Sequence, residues 1–130
     1  MPCSAPPSSE AMQAPRQQQG LATEARVERW LVAHGLIPID RNVRCRLGEI
    51  DLVMRDHDHW VFVEVRERRS AQFGGALASI DWRKQQRVLR TAQFYLQRRF
   101  GSREWPPCRF DVVAVEQGRP RWIRAAFGLT

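Results

Sequence analysis

Lysine is nearly absent from this sequence: Lys84 stands alone among 21 basic residues, and arginine supplies the rest. Cysteine is scarce too. Cys3, Cys45 and Cys108 are an odd number, widely scattered and without a C-x-x-C pair, which excludes a disulfide framework and the usual zinc spacings. Reduced thiols in a cytoplasmic protein are the expectation. No apolar run approaches the roughly 18 residues that a membrane-spanning helix needs, so no membrane partner is expected. The opening segment MPCSAPPSSEAMQAPRQQQ lacks the apolar stretch of a secretory signal. It is rich in Pro, Ser and Gln and poor in aliphatics, and such a segment buries too little to offset its ordering entropy. Residues 1–19 are therefore expected to form a disordered tail. Negative charge is also in short supply, with 14 acidic residues against 21 basic ones and a net charge of +7.

What is present is a basic, arginine-rich chain of one domain's length, with ordered structure expected over 20–130. Its isoelectric point lies near 10.8. Guanidinium forks match phosphate oxygens in pairs. Such a surface favours polyanions, nucleic acid before anionic membrane, with a solvated basic face as the bland alternative.

The pattern of elements alternates. Leu21 to His34 reads as a helix of good formers closed by Gly35. An extended stretch follows over 36–45, then a strand from Ile50 to Met54, a D-H-D-H turn at 56–59, and the strand W-V-F-V-E-V-R-E from Trp60. Alternation puts Val61, Val63 and Val65 on one face and Phe62, Glu64 and Arg66 on the other. Residues 68–79 read as a loop long enough to suggest a role. Ser79 or Asp81 could cap the next helix, whose apolar stripe runs through Val88, Leu89, Ala92, Tyr95, Leu96 and Phe100 to Gly101. C-R-F-D-V-V-A-V is a further strand, and a short last strand surrounds Trp122 and Ile123. A strand, a long helix and another strand imply a crossover, hence an α/β fold with a mixed central sheet flanked by helices in a single domain.

Two acidic residues carry the chemical information. Twelve residues separate Asp51 from Glu64, enough for a strand end, a turn and a return strand that bring both to one region of the sheet. Glu64 interrupts the apolar string V-F-V-E-V, where a plain core would place another hydrophobe. Two carboxylates about 4 Å apart repel by about 4 kcal/mol at an effective dielectric of about 20. A hard divalent cation reverses that sign, and oxygen ligands suit Mg²⁺ or Mn²⁺. The alternative is a plain ion pair between Glu64 and a neighbouring arginine.

The strings G-E-I-D-L, V-F-V-E-V-R-E-R and R-F-D-V, with Asn42, Arg44, Gly74, Lys84 and Tyr95, resemble the YraN family of small bacterial proteins. The same pattern is similar to the PD-(D/E)xK, restriction-endonuclease-like nuclease core and, within it, to the archaeal Holliday junction resolvases. The likeness runs from Gly20 to about Phe127. It implies a phosphodiester-hydrolysing site with Asp51 and Glu64 as metal ligands, Glu24 approaching the same Mg²⁺ or Mn²⁺, and Arg66 at the third signature position. That position normally holds lysine. Arginine can stabilise charge on phosphate but cannot release a proton at working pH, which excludes a base role for Arg66. Lys84 is a candidate to substitute for it, against the plainer reading of a solvated lysine. Glu49 is a weaker acidic candidate.

Arg44, Arg66, Arg68, Arg69, Arg83, Lys84 and Arg87 are expected to form a nucleic-acid-binding face, DNA being the first partner. Three functions compete: a Mg²⁺- or Mn²⁺-dependent endonuclease, a non-catalytic nucleic-acid-binding module, and an assembly or adaptor protein whose basic surface meets an acidic partner. His57 and His59 read as exposed turn residues, His34 as a helix-end residue and Asp111 as a structural partner in the sheet. Trp82 and Trp105 flank basic segments where bases could stack.

Overall fold

A computed structural model describes residues 15–68 and 80–128. Seven elements follow in the order α1 (Pro15–Ala33), β1 (Ile37–Cys45), β2 (Gly48–Asp56), β3 (His59–Arg68), α2 (Trp82–Phe100), β4 (Cys108–Glu116) and β5 (Arg119–Phe127). The five strands form one sheet in sequential order. The β1–β2, β2–β3 and β4–β5 pairs are antiparallel, while β3 and β4 run parallel because α2 carries the chain back across the sheet. The expected α/β architecture, a mixed sheet flanked by helices, is the one found.

Each helix covers one face. Val88, Leu89, Ala92, Tyr95 and Leu96 of α2 pack on Val53, Trp60, Phe62 and Phe110. Val27 and Leu31 of α1 pack on Leu52, Met54, Val61, Val63, Val113 and Val115. The alternation read along β3 is thus realised: its odd positions face α1 and Phe62 faces α2. Covering both faces explains why β3 and β4 read as near-continuous apolar runs.

Several boundaries differ from the sequence reading. The first helix begins at Pro15 and not at Leu21, so the expected tail is helical over 15–19, and its remainder lies outside the described residues. Proline fits a first helical turn, where its missing N–H is not needed. The second strand extends two residues earlier and two later than Ile50–Met54. The last strand spans nine residues instead of a short stretch near Trp122. Asp81, one of two expected caps, holds the start of α2 by accepting from the Lys84 N–H at 2.9 Å; Ser79 lies outside the described residues, as does most of the expected loop.

Candidate functional site

Pairing between β2 and β3 runs from Asp56↔His59 to Leu52↔Val63. One step further, a side chain replaces the ladder: Asp51 Oδ2 accepts the Val65 N–H at 2.8 Å. The strands fork here, and side chains from both faces meet in the fork. Glu64 belongs to the α2 face and is only 1% exposed. Glu24 comes from α1 on the opposite face, yet its carboxyl interacts with Asp51, Glu49 and Glu64.

This gathering is electrostatically tense. Burial raises Glu64 to about 8, with the charge of Asp51 adding to the rise. Burial raises Glu24 to about 9, again with Asp51 adding. Asp51 is raised as well, by burial above all, although bonds from Val65 and Glu24 and the nearby Lys84 charge oppose the rise. As carboxylates all three are acceptors only. Glu64 Oε1 and Glu24 Oε1 are buried and meet no donor among the described residues. A proton on Glu24 would bond to Asp51, which satisfies one acceptor and removes one of the pair's two negative charges.

Cations compensate only partly. Lys84 Nζ stands 3.6 Å from Glu64 Oε2, and Arg66 Nη2 stands 3.7 Å from the same oxygen. These are ion pairs and not close hydrogen bonds. Lys84 is placed by the Asp81 cap, which fixes the first turn of α2. The expectation that Glu64 merely pairs with an arginine is realised in part, since Arg66 does so, but at one oxygen only. Arg66 Nε is itself buried and meets no acceptor among the described residues.

Beside the fork lies a cleft of about 320 Å³, lined by Arg44, Cys45, Gly48, Glu49, Lys84 and Arg87. Three of the seven expected nucleic-acid-binding residues, Arg44, Lys84 and Arg87, therefore line one depression. Arg44 Nε pairs with Glu49 Oε2 at 3.2 Å. Arg83 lies exposed on α2 outside the cleft. The Arg68 side chain and all of Arg69 lie outside the described residues. Gly48 holds the wall shut: at its φ of +152°, a Cβ would sit 3.0 Å from Thr91 Oγ1 and 3.3 Å from Arg87 Cβ, so the β1–β2 turn rests directly on α2.

Among the described residues, no three His, Cys, Asp or Glu side chains form a ready-made metal cage. Glu24, Asp51 and Glu64 are nevertheless drawn together, and two buried oxygens without donors are acceptors that a hard cation can satisfy. The donor set fits Mg²⁺ or Mn²⁺. The sequence understates Glu49, because it is read there as preceding a strand, whereas it lies inside β2 and acts on all three carboxyls. It singles out neither Gly48 nor Cys45. The G-E-I string holds the one hint of Gly48's tight approach.

Other expectations resolve simply. His57 and His59 each bond the preceding aspartate in an exposed turn, and His34 Nδ1 meets the Trp30 carbonyl oxygen at 2.8 Å near the end of α1. Asp111 is structural. It binds Arg109 through both oxygens and accepts from Trp122 Nε1 and the Ala125 N–H.

Fold and site together define an α/β protein with a forked mixed sheet and an acidic cluster around the buried Glu64, beside a basic cleft. The model of "Uncharacterised protein family UPF0102" matches residues 23–115. The chain is 52% identical over 118 residues to a UPF0102 protein of Bordetella parapertussis, covering 88% of this chain and 67% of the relative. It is 51% identical over 112 residues to the UPF0102 protein YraN of Salmonella agona, covering 86% of each. The chain belongs to the UPF0102 family, the family of YraN. No helix among the described residues is long and apolar enough to cross a membrane.

Proposed function

We propose that this protein is a divalent-metal-dependent nuclease that binds DNA and hydrolyses its phosphodiester bonds. One observation carries the reading: the buried Glu64 and the half-buried Glu24 and Asp51 meet at a fork in the sheet with two buried oxygens lacking donors among the described residues, next to a cleft lined by Arg44, Lys84 and Arg87. The likeness to the PD-(D/E)xK nuclease pattern supports it, as an analogy of fold and motif.

Glu24, Asp51 and Glu64 would hold Mg²⁺ or Mn²⁺. When bound, that cation stabilises charge on a phosphoryl oxygen and makes water more acidic. The chain's own residues do the rest. Arg44 and Arg87 attract and seat phosphates at the cleft. Lys84, capped in place and within 3.6 Å of Glu64, holds positive charge where the phosphate becomes more negative. Arg66 adds charge from β3 but cannot take up a proton. Burial of Glu64 keeps its interactions with Lys84 and Arg66 in a medium of lower dielectric than water, where they are stronger.

A second reading has a specific observation behind it. Arg66 and Lys84 both lean on Glu64 Oε2, so the acidic cluster already has internal counterions. That suits a domain that binds nucleic acid without cutting it.

One assay series separates the two. Duplex, single-stranded and four-way DNA are incubated with the protein in Mg²⁺, Mn²⁺ or EDTA, beside the Asp51→Ala and Glu64→Ala variants. Metal-dependent cleavage lost in both variants is the expected result. Binding without cleavage in any metal selects the second reading. Cleavage that survives loss of both carboxylates points to a contaminant and overturns the mechanism.

A further inference from the structure

The basic cleft does not end at its own walls. Arg87, which lines it, is also part of a row along the solvent face of α2. Arg83, Arg87, Arg90, Phe94 and Arg98 follow one another at spacings of four, three, four and four, which is a single helical face. The four arginines are exposed. None of their guanidiniums pairs with a carboxylate among the described residues. No aspartate or glutamate interrupts the helix, whose sequence is WRKQQRVLRTAQFYLQRRF. At the far end the Arg98 guanidinium rests over the Phe94 ring, 5.9 Å from its centroid, which holds the last charge on the row. The opposite side of α2 is locked into the core through Val88, Leu89, Ala92, Tyr95 and Leu96. The row is therefore rigidly fixed relative to the carboxylate fork, and Lys84 links the two.

From Arg83 to Arg98 the row extends about 22 Å at about 1.5 Å per residue. That is the length of roughly six nucleotide steps at about 3.4 Å per strand step. We propose that α2 is a rail for the nucleic-acid backbone, on which Arg83, Arg90 and Arg98 hold phosphates on one side of the carboxylate site. The inference rests on the nucleic-acid-binding part of the reading above and deepens it. The substrate must be a polynucleotide long enough to reach from the fork to Arg98, and a short duplex held only at the cleft gains nothing from the rail. Charge complementarity selects the occupant: a regular line of arginine forks without one intervening acid suits a regular line of phosphates.

The test measures binding of fluorescein-labelled hairpin duplexes with stems of roughly 4 and roughly 24 base pairs, the first shorter than the row and the second longer, as a function of salt. The proteins are the wild type, the triple variant Arg83→Gln/Arg90→Gln/Arg98→Gln, and a charge-matched control, Arg29→Gln/Arg119→Gln/Arg121→Gln, altered on α1 and β5. Circular dichroism checks that all three fold. The rail variant should bind the longer duplex on the order of 10- to 100-fold more weakly near 0.1 M salt. The slope of log K against log salt should fall by about 2 to 3, at about 0.9 for each phosphate that is no longer neutralised. The shorter duplex should respond less, and the control should barely move.

A wild type that binds the longer duplex with normal salt dependence, while the rail variant matches it, overturns the rail and leaves the proposed function standing. Equal losses in rail variant and control reduce the effect to net charge and also overturn it. No DNA binding by the wild type removes both. Unchanged DNA binding with loss of binding to phosphatidylglycerol vesicles would assign the row to a membrane surface instead.

Discussion

Two buried carboxylates sit one register step apart on neighbouring strands and face opposite ways. Asp111 of β4 stands opposite Val63 of β3, and Glu64 stands opposite Val112. Asp111 shares the α1 face with Trp122, and Glu64 shares the α2 face with Lys84. Both neighbourhoods use the same local device at a break in strand pairing: Asp111 Oδ1 accepts the Ala125 N–H, and Asp51 Oδ2 accepts the Val65 N–H. They differ in completion. Asp111 receives a two-pronged Arg109, which is held in turn by Asp56, and the Trp122 indole. The fork receives more carboxylates. A fold that satisfies one buried acid so fully has the means to satisfy another, so the donor-poor fork reads as a site built for something outside the chain.

The strongest way to break this comparison is to neutralise one acid on each face. Asp111→Asn turns an acceptor into an amide that meets Arg109 and Trp122 donors, and it leaves a largely buried guanidinium with Asp56 as its one remaining charge partner. The expected cost is about 3–5 kcal/mol of folding stability, read as a lower urea midpoint. Glu64→Gln removes a charge that burial already disfavours. In EDTA near neutral pH it should leave the midpoint unchanged or raise it. Equal losses in both variants would mean the two sites are alike and the functional contrast is empty.

The same contrast sets a pH dependence. An unfolded glutamate releases its proton near 4.5, whereas Glu64 and Glu24 hold theirs up to about 8 and 9. Between those values the native state binds more protons than the unfolded one, so stability falls as pH rises. In EDTA, urea unfolding from about pH 5 to about pH 9 should show a decline of roughly several kcal/mol, and Glu64→Gln should flatten it. A cation competes with those protons, so Mn²⁺ should stabilise the wild type more near pH 8 than near pH 6. At about a hundred times its dissociation constant the gain is about 2.7 kcal/mol. Asp51→Asn should abolish most of that gain. An Mn²⁺ effect that is unchanged in Asp51→Asn would place the ion elsewhere.

The order of elements along the chain is legible in the sequence, and the facing of Phe62 and Glu64 follows from the two-residue period of a strand. Asp51 and Glu64 stand out there too, since an acid in an apolar strand needs a reason. Glu24 is placed only by the family likeness: its helix packs on the other face, and the fork that lets it through is a three-dimensional event. The start of α1 escapes a sequence reading because Pro15 and three glutamines have the composition of a tail. The full length of β5 is hidden by its exposed arginines and Pro120, which suit an edge strand. Asp111's structural role is legible in the sequence, but its network is only partly so, because Asp56 and Trp122 come from two other strands.

The smallest expected effect sharpens the comparison most finely, because it alters the arginine beside each acid by the same substitution. Arg109→Lys loses a planar fork that binds Asp111 through both oxygens and Asp56 besides. A lysine offers one point of charge in its place, and the loss should be about 1–3 kcal/mol. Arg66→Lys gives up a single ion pair at 3.7 Å and removes an Nε that meets no acceptor among the described residues. Its effect on stability should stay within about 0.5 kcal/mol. Its effect on chemistry is the informative one. An ammonium at this position restores the lysine of the nuclease pattern and adapts to a reacting phosphate more readily than a half-buried guanidinium, so Mn²⁺-dependent cleavage of DNA should rise in Arg66→Lys and vanish in Arg66→Lys/Glu64→Ala. If Arg66→Lys binds DNA as the wild type does and neither protein cuts in any metal, the fork is a binding element and the nuclease reading gives way to the non-catalytic one.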